Sequence, residues 1–150
     1  MSKKMTDGVY GVFKNGELKL HSAITDAELN LVEYIIVKKN HTSVFMLRNE
    51  IEGKYNFDDA QKKAAECGAG WRCPTRHEWL DIYDMRFNGL DEFRKRLGMG
   101  LLNDWYWSCE EYSDPMYTNH LAWKMYHYGN VHSEKKENGI KVCAVSAFQI

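Results

Sequence analysis

The stretch GWRCPTRHEW, residues 70–79, decides how the chain is read. Its second half has the form of a capping box. Thr75 and Glu78 stand at the spacing in which a hydroxyl accepts from the amide three residues on while the carboxylate reaches back. Pro74, just before it, sets the start of a helix. Reading forward, Trp79, Ile82, Tyr83 and Phe87 recur at helical spacing and predict the buried face, and Asn88-Gly89 predicts the stop. A third, shorter helix is expected over roughly 91–97, with Leu90, Phe93 and Leu97 turned inward. Reading backward, Gly68-Ala69-Gly70 ends an earlier helix whose N-cap is Asn56, with Asp58 and Asp59 complementing its dipole. Phe57, Ala60, Ala64 and Cys67 form its apolar stripe.

Strand patterns lie on both sides of these helices. Residues 8–21 read as a hairpin in which Asn15-Gly16 supplies a two-residue turn with positive φ angles. From Ala27 to Val37 the signals conflict: Asp26 to Leu29 suits a helical turn, whereas Val32 to Val37 is β-branched and suits a strand. Ser43 to Leu47 follows as its partner. Beyond residue 103 the strands return over 105–110, 120–128, 131–136 and 140–148, with Gly129-Asn130 and Asn138-Gly139 as turns. The order β, α, β predicts an α+β domain in which short helices pack on small antiparallel sheets. No repeat or linker divides it, so a single domain over 1–150 is expected, with a β-rich part at 1–52 ahead of the rest.

Composition narrows the classes of function. The chain has 150 residues, 20 basic against 21 acidic, and a formal net charge of −1, which argues against a nucleic-acid partner. No apolar run approaches the length of a membrane span, so no membrane insertion is expected. The opening residues, MSKKMTDG, lack the apolar core of a secretory leader, so a cytoplasmic or virion-associated product is expected over a secreted one. The four cysteines, Cys67, Cys73, Cys109 and Cys143, lack metal-ligand spacing and read as buried free thiols. A redox or metal pair of Cys109 with Cys143 stays open beside that reading.

Several separated motifs then fall into a familiar order: residues 57–67, Gly70 to Glu78, Tyr106-Trp107-Ser108 with Glu111-Tyr112-Ser113, Ala122-Trp123, Gly129-Asn130-Val131 and Lys141 to Val145. Over about residues 55–148 the chain resembles the DUF1566-like domains of bacteria and phages. The resemblance implies a C-type-lectin-like fold, shared with formylglycine-generating enzymes and with the variable proteins of diversity-generating retroelements. The chain departs from the family pattern at Cys73, where Leu is usual, at Cys109, and at Cys143 to Val145 in place of an arginine-containing strand. Trp71, Trp107 and Trp123 read as framework, and Arg72 is expected to pair with a carboxylate, one of the second helix or of the final sheet.

Function is expected within 103–138, which holds three of five Trp, five of nine Tyr and three of six His. Tyr112, Tyr117, Asn119, His120, Lys124, Tyr126, Tyr128, Asn130 and His132 are the candidate ligand-binding residues. Tyr offers rigid contact area at small entropic cost, and Asn and Ser offer adaptable hydrogen bonding. By resemblance, alternate positions such as Lys124, Tyr126 and Tyr128 would form one face. The same residues also suit the polar side of a half-buried sheet. Calcium is not expected, because Asn103-Asp104 and Asp114-Pro115 fall short of six to eight oxygen ligands. No catalytic residue, metal site or cofactor is expected. A cysteine enzyme of the formylglycine-generating kind would need Cys109 and Cys143, whose neighbours are acidic or apolar rather than basic. The reading is therefore a non-catalytic ligand- or receptor-binding module for a protein or glycan. The alternative is a structural or interaction subunit of a phage particle or bacterial surface assembly, with homo-oligomerisation through the β-rich first third.

Overall fold

The computed structural model describes residues 5–112, 121–126 and 131–148. In chain order the elements are β1 (Gly8–Phe13), β2 (Leu18–Leu20), two 3-10 turns (His21–Ala23 and Asp26–Leu31), β3 (Val32–Lys39), β4 (Thr42–Leu47), β5 (Lys54–Tyr55), α1 (Phe57–Ala65), β6 (Trp71–Arg72), α2 (Arg76–Met85), a π-turn (Arg86–Leu90), α3 (Asp91–Arg96), β7 (Tyr106–Glu111), β8 (Leu121–Met125), β9 (Val131–Lys135), β10 (Ile140–Lys141) and β11 (Val145–Ala147). This is a mixed α+β architecture with two sheets and few short helices. The chain forms two compact units. One takes Met1–Glu50, Asp81–Leu102 and Ser146–Ile150; the other takes Ile51–Leu80 and Asn103–Val145.

In the first unit the strands run in the order β2-β1-β3-β4-β11. β1 and β3 pair antiparallel, with Tyr10 opposite Ile36, and a bulge follows Val12. β3 then pairs with β4, Val37 opposite Val44. Ile35, Ile36 and Val37 are all fully buried, so β3 is covered on both faces. The conflicting signals around residue 30 resolve into succession: Thr25 caps a 3-10 turn, and the β-branched run begins at Val32. The 8–21 hairpin turns differently from expectation. Gly16 donates to the Phe13 carbonyl and Phe13 to that of Glu17, so three residues form the loop. Gly16 alone carries the positive φ, +87°, whereas Asn15 does not. The arrangement is a tight turn closed by one left-handed glycine rather than a two-residue turn.

Phe87 also departs from the expected stripe and is 77% exposed. Helical geometry runs through Phe87 and breaks at Asn88 and Gly89, the expected stop, before α3 begins. On a regular helix Arg86, seven residues after Trp79, falls at the middle of the buried face, whereas Phe87 falls at its edge. The buried Arg86 guanidinium is held by Asp91 at 2.9 Å. Gly89 sits at φ +121°, and a Cβ there would lie 2.4 Å from Nε2 of His21. Leu90, Phe93 and Leu97 are buried as expected.

In the second unit the order is β5-β10-β7-β8-β9, antiparallel except for the β10–β7 pair. The expected terminal strand over 140–148 is broken, because residues 142–144 carry no ladder and only β10 joins this sheet. Asn56 caps α1 by accepting from the Asp59 amide at 2.8 Å, and Phe57, Ala60 and Ala64 are buried. The capping box of α2 closes in both directions, Glu78 N–H to Thr75 Oγ1 at 3.1 Å and Thr75 N–H to Glu78 Oε1 at 2.8 Å. Arg72 takes the helical carboxylate of the two expected partners, gripping Glu78 with two bonds of 2.6 and 2.8 Å. Trp107 is fully buried, whereas Trp71 and Trp123 are only half-buried and so are not core plates in the sense expected.

Three substitutions test these positions. Burial alone would raise the Glu78 carboxyl, but the bonds from Arg72 and Thr75 outweigh it and hold it below its ordinary range. A depressed folded-state value stabilises above the ordinary range and loses that contribution as pH falls through the folded value. Glu78→Gln should therefore lose about 1–3 kcal/mol at pH 7 in urea unfolding, with the gap to wild type closing below about pH 4. Gly89→Ala meets both the His21 ring and an unfavourable φ, and should cost about 2 kcal/mol or more. Gly98→Ala, at φ +80° with open space around it, should cost only about 1 kcal/mol.

Candidate functional site

β7, β8 and β9 lie side by side, and their register sets which side chains share a face. Lys124 stands opposite both Trp107 and His132. Side chains alternate along a strand, so Trp105 and Tyr126 fall on the same face as this row. At one end of that face Trp107 is sealed: Phe57 packs edge-on at 5.4 Å, and the indole N–H donates to the Tyr55 carbonyl at 2.7 Å. The other end holds a cluster centred on Trp105. Tyr126 stacks on its ring at 4.8 Å, His132 meets it edge-on at 5.2 Å, and the Lys124 ammonium lies 4.2 Å from the ring centroid. The last distance is a close cation–π contact.

Polar bonds fix this cluster. Lys124 donates to Glu134 at 2.6 Å, and Glu134 also accepts from the Asn138 amide at 2.7 Å. Burial pushes the Glu134 carboxyl up, but those donors outweigh it, and the group is held below its ordinary value. Asp104 accepts from the backbone N–H of Trp105 at 2.7 Å and lies 3.5 Å from Lys141. Charges of both signs thus surround the indole, each with an opposite partner.

The opposite face of β7 and β8 is covered by the first turns of α2. Trp79 packs on Tyr106 at 5.3 Å and donates to the Trp107 carbonyl. Arg76 lies 4.6 Å over Trp123 and pairs with Glu110, and Tyr112 meets Trp123 edge-on at 4.9 Å. Between Trp107 and Glu111 the β7–β8 register shifts. The buried Ser108 hydroxyl spans that irregularity, donating to the Trp123 carbonyl at 2.9 Å and accepting from the Glu110 amide at 3.1 Å.

The candidates therefore separate. Lys124, Tyr126 and His132 come together, and the shared face expected of Lys124 and Tyr126 is present. Tyr112 belongs with Trp123 and Arg76. Tyr117, Asn119, His120, Tyr128 and Asn130 lie outside the described residues, as do His127 and Asp114-Pro115. Trp105, at the centre of the cluster, was not among the candidates; its place two residues before Trp107 was the available signal. Ser108 left none.

Of the four cysteines Cys73 alone is buried, so the other three are less enclosed than expected. Burial pushes the thiols of Cys67, Cys73 and Cys109 up, that of Cys73 to about 12. None of the three has the lowered value of an activated thiolate. Among the described residues no group of three or more His, Cys, Asp or Glu side chains is placed to hold a metal ion. Nor is any described helix long and apolar enough to cross a membrane. No protein-family model and no curated protein matches the chain.

Cys73 provides a check on this environment. At pH 8 a thiol with a value of about 12 is thiolate in roughly one molecule in ten thousand. Cys73 should resist an aromatic disulfide reagent in the folded protein and react only on unfolding. Modification of Cys73 at the rate of an exposed thiol would refute the burial described.

Proposed function

We propose that the chain is a non-catalytic binding module that contacts a protein or glycan through the open end of the β7–β8–β9 face. The observation that carries this reading is the convergence of Lys124, Tyr126 and His132 on the partly exposed indole of Trp105. Large aromatic side chains held by neighbours offer contact area without much loss of side-chain entropy on binding. The polar frame of Glu134, Asn138 and Asp104 supports the same reading, since it fixes the cluster in advance. The resemblance to DUF1566-like domains adds the C-type-lectin-like fold to the proposal. In that fold the last strands and their loops present the contact residues. Tyr117, Asn119, His120, Tyr128 and Asn130 stay in the proposal on their residue types and their nearness in sequence to β8 and β9. The raised thiol of Cys109 counts against an activated thiolate at that position.

The test is a binding screen of the wild type and Trp105→Ala against glycan arrays and bacterial surface proteins. Truncating a central tryptophan is expected to cost about 2 kcal/mol or more, roughly thirtyfold in Kd. Tyr126→Ala and His132→Ala should weaken binding less, and circular dichroism should show all three variants folded. A ligand that binds Trp105→Ala and wild type equally well would refute this face as the site.

A further inference from the structure

The first unit contains a cavity of about 400 Å³ where the start of β1, the end of β2 and the π-turn come together. Its lining divides by chemistry. Val9 and Met85 are buried and form an apolar floor, and Leu20 continues it toward solvent. Asp7 and Lys39 bring opposite charges to the same cavity. Neither is tightly neutralised: Asp7 lies 3.5 Å from Lys38, and Lys39 lies 3.3 Å from Asp84. Those separations are longer than the 2.6–2.9 Å pairs that hold Arg86 and Arg94 in this unit. Each rim charge therefore keeps capacity for a further charge-assisted bond. Asn88, displayed by the π-turn, and His21 add neutral polar groups, since burial lowers the His21 value.

This pattern selects a ligand by elimination. An anion would meet Asp7, and a cation would meet Lys39. An uncharged apolar molecule would desolvate both without satisfying either. The volume lies at the small end of the range for ligand pockets, which suits one compact molecule rather than a chain. We propose that the cavity binds a small zwitterion of α-amino-acid size, with its carboxylate toward Lys39, its ammonium toward Asp7 and an apolar side chain over Val9, Leu20 and Met85. This site is independent of the binding face of the second unit, and either proposal stands without the other.

The test titrates the full chain with L-leucine, L-methionine and L-phenylalanine by calorimetry and amide-resolved NMR. The comparison ligands are 3-methylbutylamine, 4-methylpentanoate and the dipeptide Leu-Leu. At least one amino acid should saturate at millimolar concentration or below, shifting the amide signals of Gly8 and Asn88. The singly charged analogues should bind at least about tenfold more weakly, and so should Asp7→Asn and Lys39→Gln. Both substitutions are at the surface, and unchanged melting would show that the variants are folded. The proposal is overturned if no amino acid saturates in that range, if either singly charged analogue binds equally well, or if affinity survives both rim substitutions. Tighter binding of the dipeptide would overturn the assignment to a single amino acid.

Discussion

The second unit depends on one carboxylate. Glu78 accepts two bonds from Arg72 and a third from the Thr75 amide. It thereby ties β6 to the first turn of α2 and fixes where that helix begins. The next residue is Trp79, fully buried, whose ring lies on Tyr106 and whose N–H reaches the Trp107 carbonyl. Trp107 is bonded in turn to the Tyr55 carbonyl. A bidentate arginine–carboxylate pair specifies direction as well as distance. A half-buried pair of this kind is valuable chiefly because losing one member strands the other. The position of β7, and so of the face that β7 shares with β8 and β9, descends from this contact.

What the sequence discloses follows the range of the interaction involved. Both helix caps were legible, at Asn56 and at Thr75 with Glu78, because each is settled within four residues. The apolar stripes of α1 and α3 were legible for the same reason. Phe87 was misplaced because it stands at the edge of the helical stripe, while Arg86, a charged residue at its middle, is buried against Asp91. Asn15-Gly16 announces a turn but not its length, which is set by the bond between Phe13 and Glu17. Local alternation carried through residues 142–144, yet no ladder forms there, since pairing requires a partner strand.

The site divides in the same way. Lys124 and Tyr126 stand two apart on one strand, so their common face follows from the pleat alone. That His132 joins them depends on the β8–β9 register, and that Trp105 lies beneath all three depends on β7. Trp105 and Trp107 are indistinguishable by residue type and share a face, but Phe57 and Tyr55 enclose only Trp107. Enclosure is a property of the neighbours, and it leaves no mark in the local sequence. The cavity of the first unit shows this more strongly: Asp7, Leu20, Lys39 and Asn88 are scattered over more than eighty positions and form no motif.

The pairing of Lys124 with Glu134 has a consequence for the kinetics of encounter. Lys124 already lies on Trp105 and against a carboxylate, and Asp104 has Lys141 nearby, so the charges around the indole largely cancel at close range. Oppositely charged neighbours a few ångströms apart project little field beyond a Debye length. A partner approaching this face would receive almost no electrostatic steering, and its association rate would stay near the unassisted range and vary little with ionic strength. Selectivity at such a surface resides in how slowly the fitted partner leaves.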